Sequence, residues 1–142
     1  MVPAPSIGQH TDEVLKERHK PGSGAGQGGP PLAGTLAVDL ASFIAGPVIT
    51  RHLAMLGADV VKVEPPDADP FRSFSPMFNG WNQGKKGITL DLKDSSDREF
   101  LYKMVSSADV VVENFRPGVA ERLGCSAEEL RRVRDDLVLV KS

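Results

Sequence analysis

The chain has 142 residues, 40% of them hydrophobic and 25% charged, with a formal net charge of −2 at pH 7. That length suits one domain with a real core, and the charge gives no electrostatic case for nucleic acid or an anionic membrane as partner. No apolar run approaches the about 20 residues of a bilayer-spanning helix, the start lacks a secretory signal pattern, and the single cysteine, Cys125, fits a reducing, cytoplasmic setting.

Residues 11–17 predict a short helix with Thr11 as N-cap. The following Pro21-Gly22-Ser23-Gly24-Ala25-Gly26-Gln27-Gly28-Gly29-Pro30-Pro31 is too poor in apolar residues to order itself, so a disordered Gly/Pro-rich linker is expected. Residues 1–33 are thereby set apart from residues 34–142, where strands and helices alternate. Residues 35–40 form the first strand candidate. Gly46 and Pro47 open a helix to about Leu56, with Gly57 past its end. Residues 59–64 are a second strand, closed by Pro65-Pro66. Residues 67–86 predict a long loop, a length that in compact domains goes with function or disorder.

Residues 88–92 alternate with period two and predict a third strand. Asp94 or Ser95 caps a helix to about Ala108, with Phe100, Leu101, Met104 and Val105 spaced to face a sheet. Residues 110–113 are a fourth strand. A short helix over 117–123 ends at Gly124, Ser126 to Glu129 is a capping box opening another helix, and residues 137–140 are a fifth strand. The pattern predicts an α/β fold, a Rossmann-like mostly parallel sheet with flanking helices.

Ligands of open α/β sheets bind outside the carboxyl ends of the strands. Val111-Val112-Glu113-Asn114-Phe115-Arg116-Pro117-Gly118 runs from strand to helix there, and Asn114, Phe115 and Arg116 offer an amide, an aromatic face and a fixed cation. The alternative is an ordinary turn, with Asn114 as a cap and Arg116 in water. No G-x-G-x-x-G or P-loop pattern is present, so a routine NAD or ATP site is unsupported. His10, His19 and His52 are scattered and predict no metal site. Cys125 has no obvious histidine partner and reads as a bystander. Lys85-Lys86 could meet phosphate but is more simply a solvated pair, and Trp81 either packs on a ligand or closes the long loop.

Together the motifs resemble one family. Asp39-Leu40-Ala41 with Ala45-Gly46-Pro47, then Leu56-Gly57-Ala58-Asp59-Val60-Val61-Lys62-Val63-Glu64-Pro65-Pro66, are similar to the opening of the family III CoA-transferases. Asn82-Gln83-Gly84-Lys85-Lys86-Gly87-Ile88-Thr89-Leu90-Asp91-Leu92-Lys93 and Ala108-Asp109-Val110-Val111-Val112-Glu113-Asn114-Phe115-Arg116-Pro117-Gly118 resemble that family's next two signatures. The group includes formyl-CoA transferase, carnitine CoA-transferase and the α-methylacyl-CoA racemases. The resemblance implies an acyl-CoA thioester and a carboxylic acid as substrates, no metal, and a homodimer or related subunit as partner. It implies that coenzyme A lies along Phe43, Ile44 and Ala45, then Leu90, Asp91, Leu92 and Lys93, then Asn114, Phe115 and Arg116, then Arg122 and Leu123.

Departures from the family pattern qualify this. Ser42, Ile44 and Pro65 replace the His, Gln and Arg of formyl-CoA transferase, which points to a bulkier or more apolar acyl group. The family's nucleophile is an aspartate beyond the strand equivalent to 137–140. It forms a mixed anhydride with the acyl group and releases CoA thiolate. None of the carboxylates here matches it, so the isolated chain is expected to be inactive. Pro3-Ala4-Pro5-Ser6-Ile7-Gly8-Gln9-His10-Thr11-Asp12-Glu13-Val14-Leu15 is similar to the family's C-terminal end, as if residues 1–33 were the tail of a preceding domain. The alternatives are a racemase fragment and a non-catalytic CoA-binding remnant.

Overall fold

A computed structural model describes residues 2–16 and 29–142; of the linker expected over 21–31, residues 21–28 lie outside the described residues, while Pro30 packs beside Gly57 and accepts the Ala33 amide. Five strands, β1 (Leu36–Asp39), β2 (Asp59–Glu64), β3 (Lys86–Thr89), β4 (Val110–Glu113) and β5 (Val138–Lys141), build one sheet in the order β3-β2-β1-β4-β5. Every neighbouring pair is parallel, so the expectation of a mostly parallel sheet is exceeded. Among the described residues six α-helices accompany it: α1 (Thr11–Lys16), α2 (Ala45–Met55), α3 (Ser75–Trp81), α4 (Ser95–Val105), α5 (Val119–Arg122) and α6 (Ala127–Val133). Strand order reverses between β1 and β4. A ligand crevice belongs there, where the turns leaving the two strands diverge to opposite sides.

The central strands are buried on both faces, which is why they read as nearly continuous apolar runs. Successive side chains nonetheless sort to opposite sides. Val38, Val61, Val63, Ile88 and Val111 join Leu101, Val105 and Leu130 of α4 and α6 in one apolar cluster. Ala37 and Val60 face the other way, against Leu53 and Ala54 of α2. Continuing along that second face, the next positions are Asp39, Lys62 and Glu64, all buried.

Several local expectations shift for physical reasons. The third strand lies at Lys86–Thr89 rather than 88–92, because its neighbour β2 ends at Glu64 and Pro65-Pro66 cannot extend the ladder. Leu90 keeps one bond of that ladder, donating its amide to the Glu64 carbonyl at 2.9 Å. The long loop holds a 3-10 turn (Pro70–Ser73) and α3. Asp69 caps the 3-10 turn through the Phe71 amide, Pro76 sits in the first turn of α3, and Phe78 is buried beneath it. α4 stops at Val105, short of Ala108, although Asp94 caps it as expected. The Ser126–Glu129 capping box is present in both directions. Thr11 does not cap α1 with its hydroxyl, which accepts the Thr89 amide instead.

Candidate functional site

Beyond β1 the chain turns through Ala41, Ser42 and Phe43 into α2, and this turn is held from three sides. Asp39 Oδ1 accepts the Ala41 amide at 3.0 Å. Asn114, at the end of β4, accepts the Ser42 amide at 2.9 Å and donates to the Ser42 carbonyl at 2.7 Å. The Asn114 side chain therefore laces the two diverging turns together rather than capping α5, whose N-cap is Gly118. Gly46 lets α2 begin close to the strand, since a Cβ there would fall 2.1 Å from that of Ala41. Within this grip Phe43 adopts φ 63°, a left-handed conformation that costs a non-glycine residue roughly 1–3 kcal/mol. Its half-exposed ring leans on Phe71, with ring centres 6.0 Å apart.

Beneath the turn lies a buried ionic cluster. Lys85 Nζ donates to Asp39 Oδ2 at 2.8 Å, the Pro47 carbonyl at 2.9 Å and Asn82 Oδ1 at 2.8 Å, which uses all three of its protons. The Thr50 hydroxyl donates to the same Asp39 oxygen at 2.6 Å. Burial raises the Asp39 pKa, but Lys85, Lys62 and the hydrogen bonds from Lys85 and Thr50 together outweigh it and hold the carboxyl below its ordinary range. Burial pulls the Lys85 ammonium down to about 8 against the pull of Asp39. Lys85 is thus neither solvated nor placed for phosphate. It braces the start of α2.

Lys62 donates to the Ala41 carbonyl at 2.8 Å and sits 3.1 Å from Asp69 Oδ2. Arg72 clamps both oxygens of Glu64 at 2.7 Å while its guanidinium lies 4.2 Å from the centre of the Phe78 ring. The 67–86 stretch is therefore tied to β2 by one fully buried ion pair and one partly buried one.

Above this base a cleft of about 390 Å³ opens at the carboxyl ends of β1, β2 and β3 and beside that of β4. Leu90, Asp91, Leu92 and Lys93 form one wall, and Phe115 and Leu123 the other. Pro65, Pro66 and Pro70 face them, with Ala41, Ser42 and the Lys62 side chain contributing from the turn and base. Of the residues singled out from sequence, these six wall residues come together. Asn114 supports the cleft from behind through Ser42. Phe43, Ile44 and Ala45 stand exposed outside it, as do Arg116 and Arg122. Trp81 is not part of its walls. Mostly apolar walls with a few directed polar groups suit an organic ligand of limited size.

The one cysteine is not poised for nucleophilic chemistry. Burial, reinforced by Glu113, Glu129 and Glu121, pushes the Cys125 thiol up to about 12, so it is not a thiolate nucleophile near neutral pH. Among the described residues, no three His, Cys, Asp or Glu side chains are grouped to hold a metal ion.

The family model for CoA-transferase family III matches residues 32–142, a span holding the whole sheet, the ionic cluster and the cleft. The chain belongs to the family III CoA-transferases. It is similar to an acetyl-CoA:oxalate CoA-transferase of Acetobacter aceti, with 42% identity over 79% of this chain and 31% of that protein. It is also similar to a formyl-CoA:oxalate CoA-transferase of Afipia carboxidovorans, with 37% identity over 76% of this chain and 28% of the relative. A solved CAIB/BAIF family protein of Brucella suis superposes with a TM-score of 0.74 at 34% identity, covering 80% of this chain and 33% of that one. The chain spans about a third of the length of these family members.

Sequence reasoning passed over Lys62, Glu64 and Arg72 as site residues. The available signal was a lysine in the middle of the apolar run Asp59-Val60-Val61-Lys62-Val63-Glu64: in a strand covered on both faces, such a charge requires a buried partner. Phe43 was named without its strained backbone, which sequence does not reveal.

Proposed function

We propose that residues 34–142 supply the coenzyme A-facing part of a family III CoA-transferase, and that the cleft bounded by Leu90–Lys93, Phe115 and Leu123 receives a portion of an acyl-CoA. The observation that carries this reading is the convergence of the turns leaving β1, β2, β3 and β4 on one mostly apolar cleft beside the strand-order reversal. The walls offer Phe115 and Leu92 to a flat ring such as adenine. Lys93, Arg116 and Arg122, exposed nearby, are cations suited to the phosphates. The curated relatives named above are CoA-transferases acting between acetyl-CoA or formyl-CoA and oxalate, which favours CoA transfer over racemisation. Pro65 makes the cleft wall more apolar than a formyl group requires.

The chemical step needs a carboxylate free to attack a thioester carbonyl. Of the carboxylates lining the cleft, Glu64 is clamped by Arg72 and Asp69 is paired with Lys62, both buried, while Asp91 accepts the Lys93 amide and Asp67 stands exposed, so none is both sheltered and unpaired. We therefore assign binding, not acyl transfer, to this chain by itself. In this reading residues 1–33 are the tail of a preceding domain of the same family, and the complete enzyme is a dimer acting in the cytoplasm.

Calorimetric titration with CoA tests the binding. Saturable binding is expected, weakened at least tenfold by Phe115→Ala and by Leu123→Trp, which fills the cleft, in samples whose thermal unfolding remains cooperative. A folded chain that binds no CoA overturns the proposal. Turnover of any acyl-CoA by the pure chain overturns the assignment of binding alone.

A further inference from the structure

The two walls of the cleft come from different turns. Leu90–Lys93 follows β3, whereas Phe115 and Leu123 follow β4, with Leu123 closing α5. Both walls are fastened to one helix, α4. Leu101, Met104 and Val105 bury one side of α4 in the main apolar cluster, which fixes the helix on the sheet. Asp97, Arg98 and Tyr102 carry the bonds from α4 to the walls.

The wall after β3 is held by its backbone. The Asp91 amide donates to Asp97 Oδ2 at 2.7 Å. Arg98 Nη1 donates to the Leu92 carbonyl at 3.0 Å and to the Lys93 carbonyl at 2.9 Å. One helical turn further on, Tyr102 Oη donates at 2.6 Å to the carbonyl of Gly124, the neighbour of Leu123 in the opposite wall. Arg98 and Tyr102 are four positions apart and so lie side by side on α4. Gly124 seats against both, since a Cβ there would fall 2.8 Å from Arg98 Cδ and 2.9 Å from Tyr102 Oη. The Arg98 side chain thus spans the two walls, with its guanidinium on the Leu92 and Lys93 carbonyls and its stem against Gly124.

These bonds are not needed to make the helix. α4 already has Asp94 as its cap and Leu101 as a fully buried anchor. The residues they hold, Leu92, Lys93 and Gly124, lie outside the strands and helices, so the sheet ladder does not set their spacing. Hydrogen bonds from a guanidinium and a phenol are directional, and the charged one is the stronger. A cleft held open at the width of its ligand loses less freedom on binding than one that must first be ordered.

We propose that Arg98 and Tyr102 are positioning residues that set the separation of the Leu92 and Leu123 walls, matching it to a flat ring seated between them. Neither side chain lines the cleft, so both act through the backbone of the walls. The proposal rests on the reading that the cleft receives a portion of an acyl-CoA.

Calorimetric titration of the full chain with CoA, alongside thermal unfolding, tests it. Tyr102→Phe deletes one hydroxyl and keeps the ring in the apolar cluster, and Arg98→Lys keeps the charge without the reach to two carbonyls. Each should weaken CoA binding roughly fivefold or more, the scale of one lost hydrogen bond. Leu101→Val disturbs the core side of the same helix and should lower the unfolding midpoint while leaving CoA affinity unchanged. Affinity that simply follows thermal stability across the three variants overturns the proposal. So does unchanged affinity in Tyr102→Phe and Arg98→Lys. If Arg98→Lys does not fold, Tyr102→Phe decides by itself. An unaltered chain that binds no CoA overturns the CoA reading and this proposal with it, a result distinct from binding that the variants leave unchanged.

Discussion

On one face of the sheet, Val38, Val61, Val63, Ile88 and Val111 pack into a wholly aliphatic contact with Leu101, Val105 and Leu130. On the other, the same strands begin with Ala37 and Val60 and end with Asp39, Lys62 and Glu64, answered by Lys85, Asp69 and Arg72. The first face is where burial stabilises the fold, since apolar contact has no orientation to satisfy. The second spends buried charge, which gains little net stability even when well paired. What it gains is position, because each ion pair ends at the turn or the loop that borders the cleft. Asp39 holds Ala41, Lys85 holds Pro47 and Lys62 holds the Ala41 carbonyl.

That contrast can be broken by mutation, and the largest effect is expected on the ionic face. Lys85→Met leaves the Asp39 carboxylate buried without its cation and should cost about 3–5 kcal/mol in denaturant unfolding. Leu101→Ala removes a fully buried side chain from the aliphatic face and should cost roughly 2–5 kcal/mol in the same measurement. The two differ in pH dependence. Between about 8 and 10.5 the unfolded chain keeps a proton that folded Lys85 has released, so this group makes stability rise with pH across that window. Leu101→Ala should retain the rise and Lys85→Met should lose it. At the acid end, the lowered Asp39 pKa contributes stability above its ordinary 3.8 that disappears as pH falls through the folded value. A Leu101→Ala profile that also flattens would mean the faces are not separable.

Smaller effects mark the boundary of the comparison. Ser126→Ala, far from the ionic face, removes one direction of the α6 capping box and should cost about 0.5–2 kcal/mol without altering the pH profile. Cys125 lies against the aliphatic cluster, so thiol reagent at pH 8 should label the denatured chain quickly and the folded chain slowly. Equal rates would show that this face opens readily.

Much of the aliphatic face was legible in the sequence, because Val111 in its β-branched run and the Phe100/Leu101/Met104/Val105 spacing carry their burial in their own chemistry. The ionic face was not. Lys85 meets Asp39 across 46 positions and Lys62 meets the Ala41 carbonyl across 21, pairings that no local rule predicts. α3 was hidden because Pro76 and Gly80 look like breakers, although Pro is well suited to a first helical turn. Of the residues that the family resemblance implied at the site, Leu90–Lys93, Phe115 and Leu123 line one cleft, although 90–92 were expected inside the third strand rather than past its end. Asn114 was read as a cap or a ligand contact, and its bond to Ser42 depends on two turns meeting across the sheet.

The central claim is that the braced turns surround a coenzyme A cleft, and amide chemical-shift mapping of the ¹⁵N-labelled chain during titration with CoA tests it most directly. The account predicts saturable shifts concentrated at Leu90–Lys93, Phe115 and Leu123, with smaller ones at Ser42 and Asn114. Shifts confined to other surfaces, or a folded chain whose spectrum does not change, would contradict it.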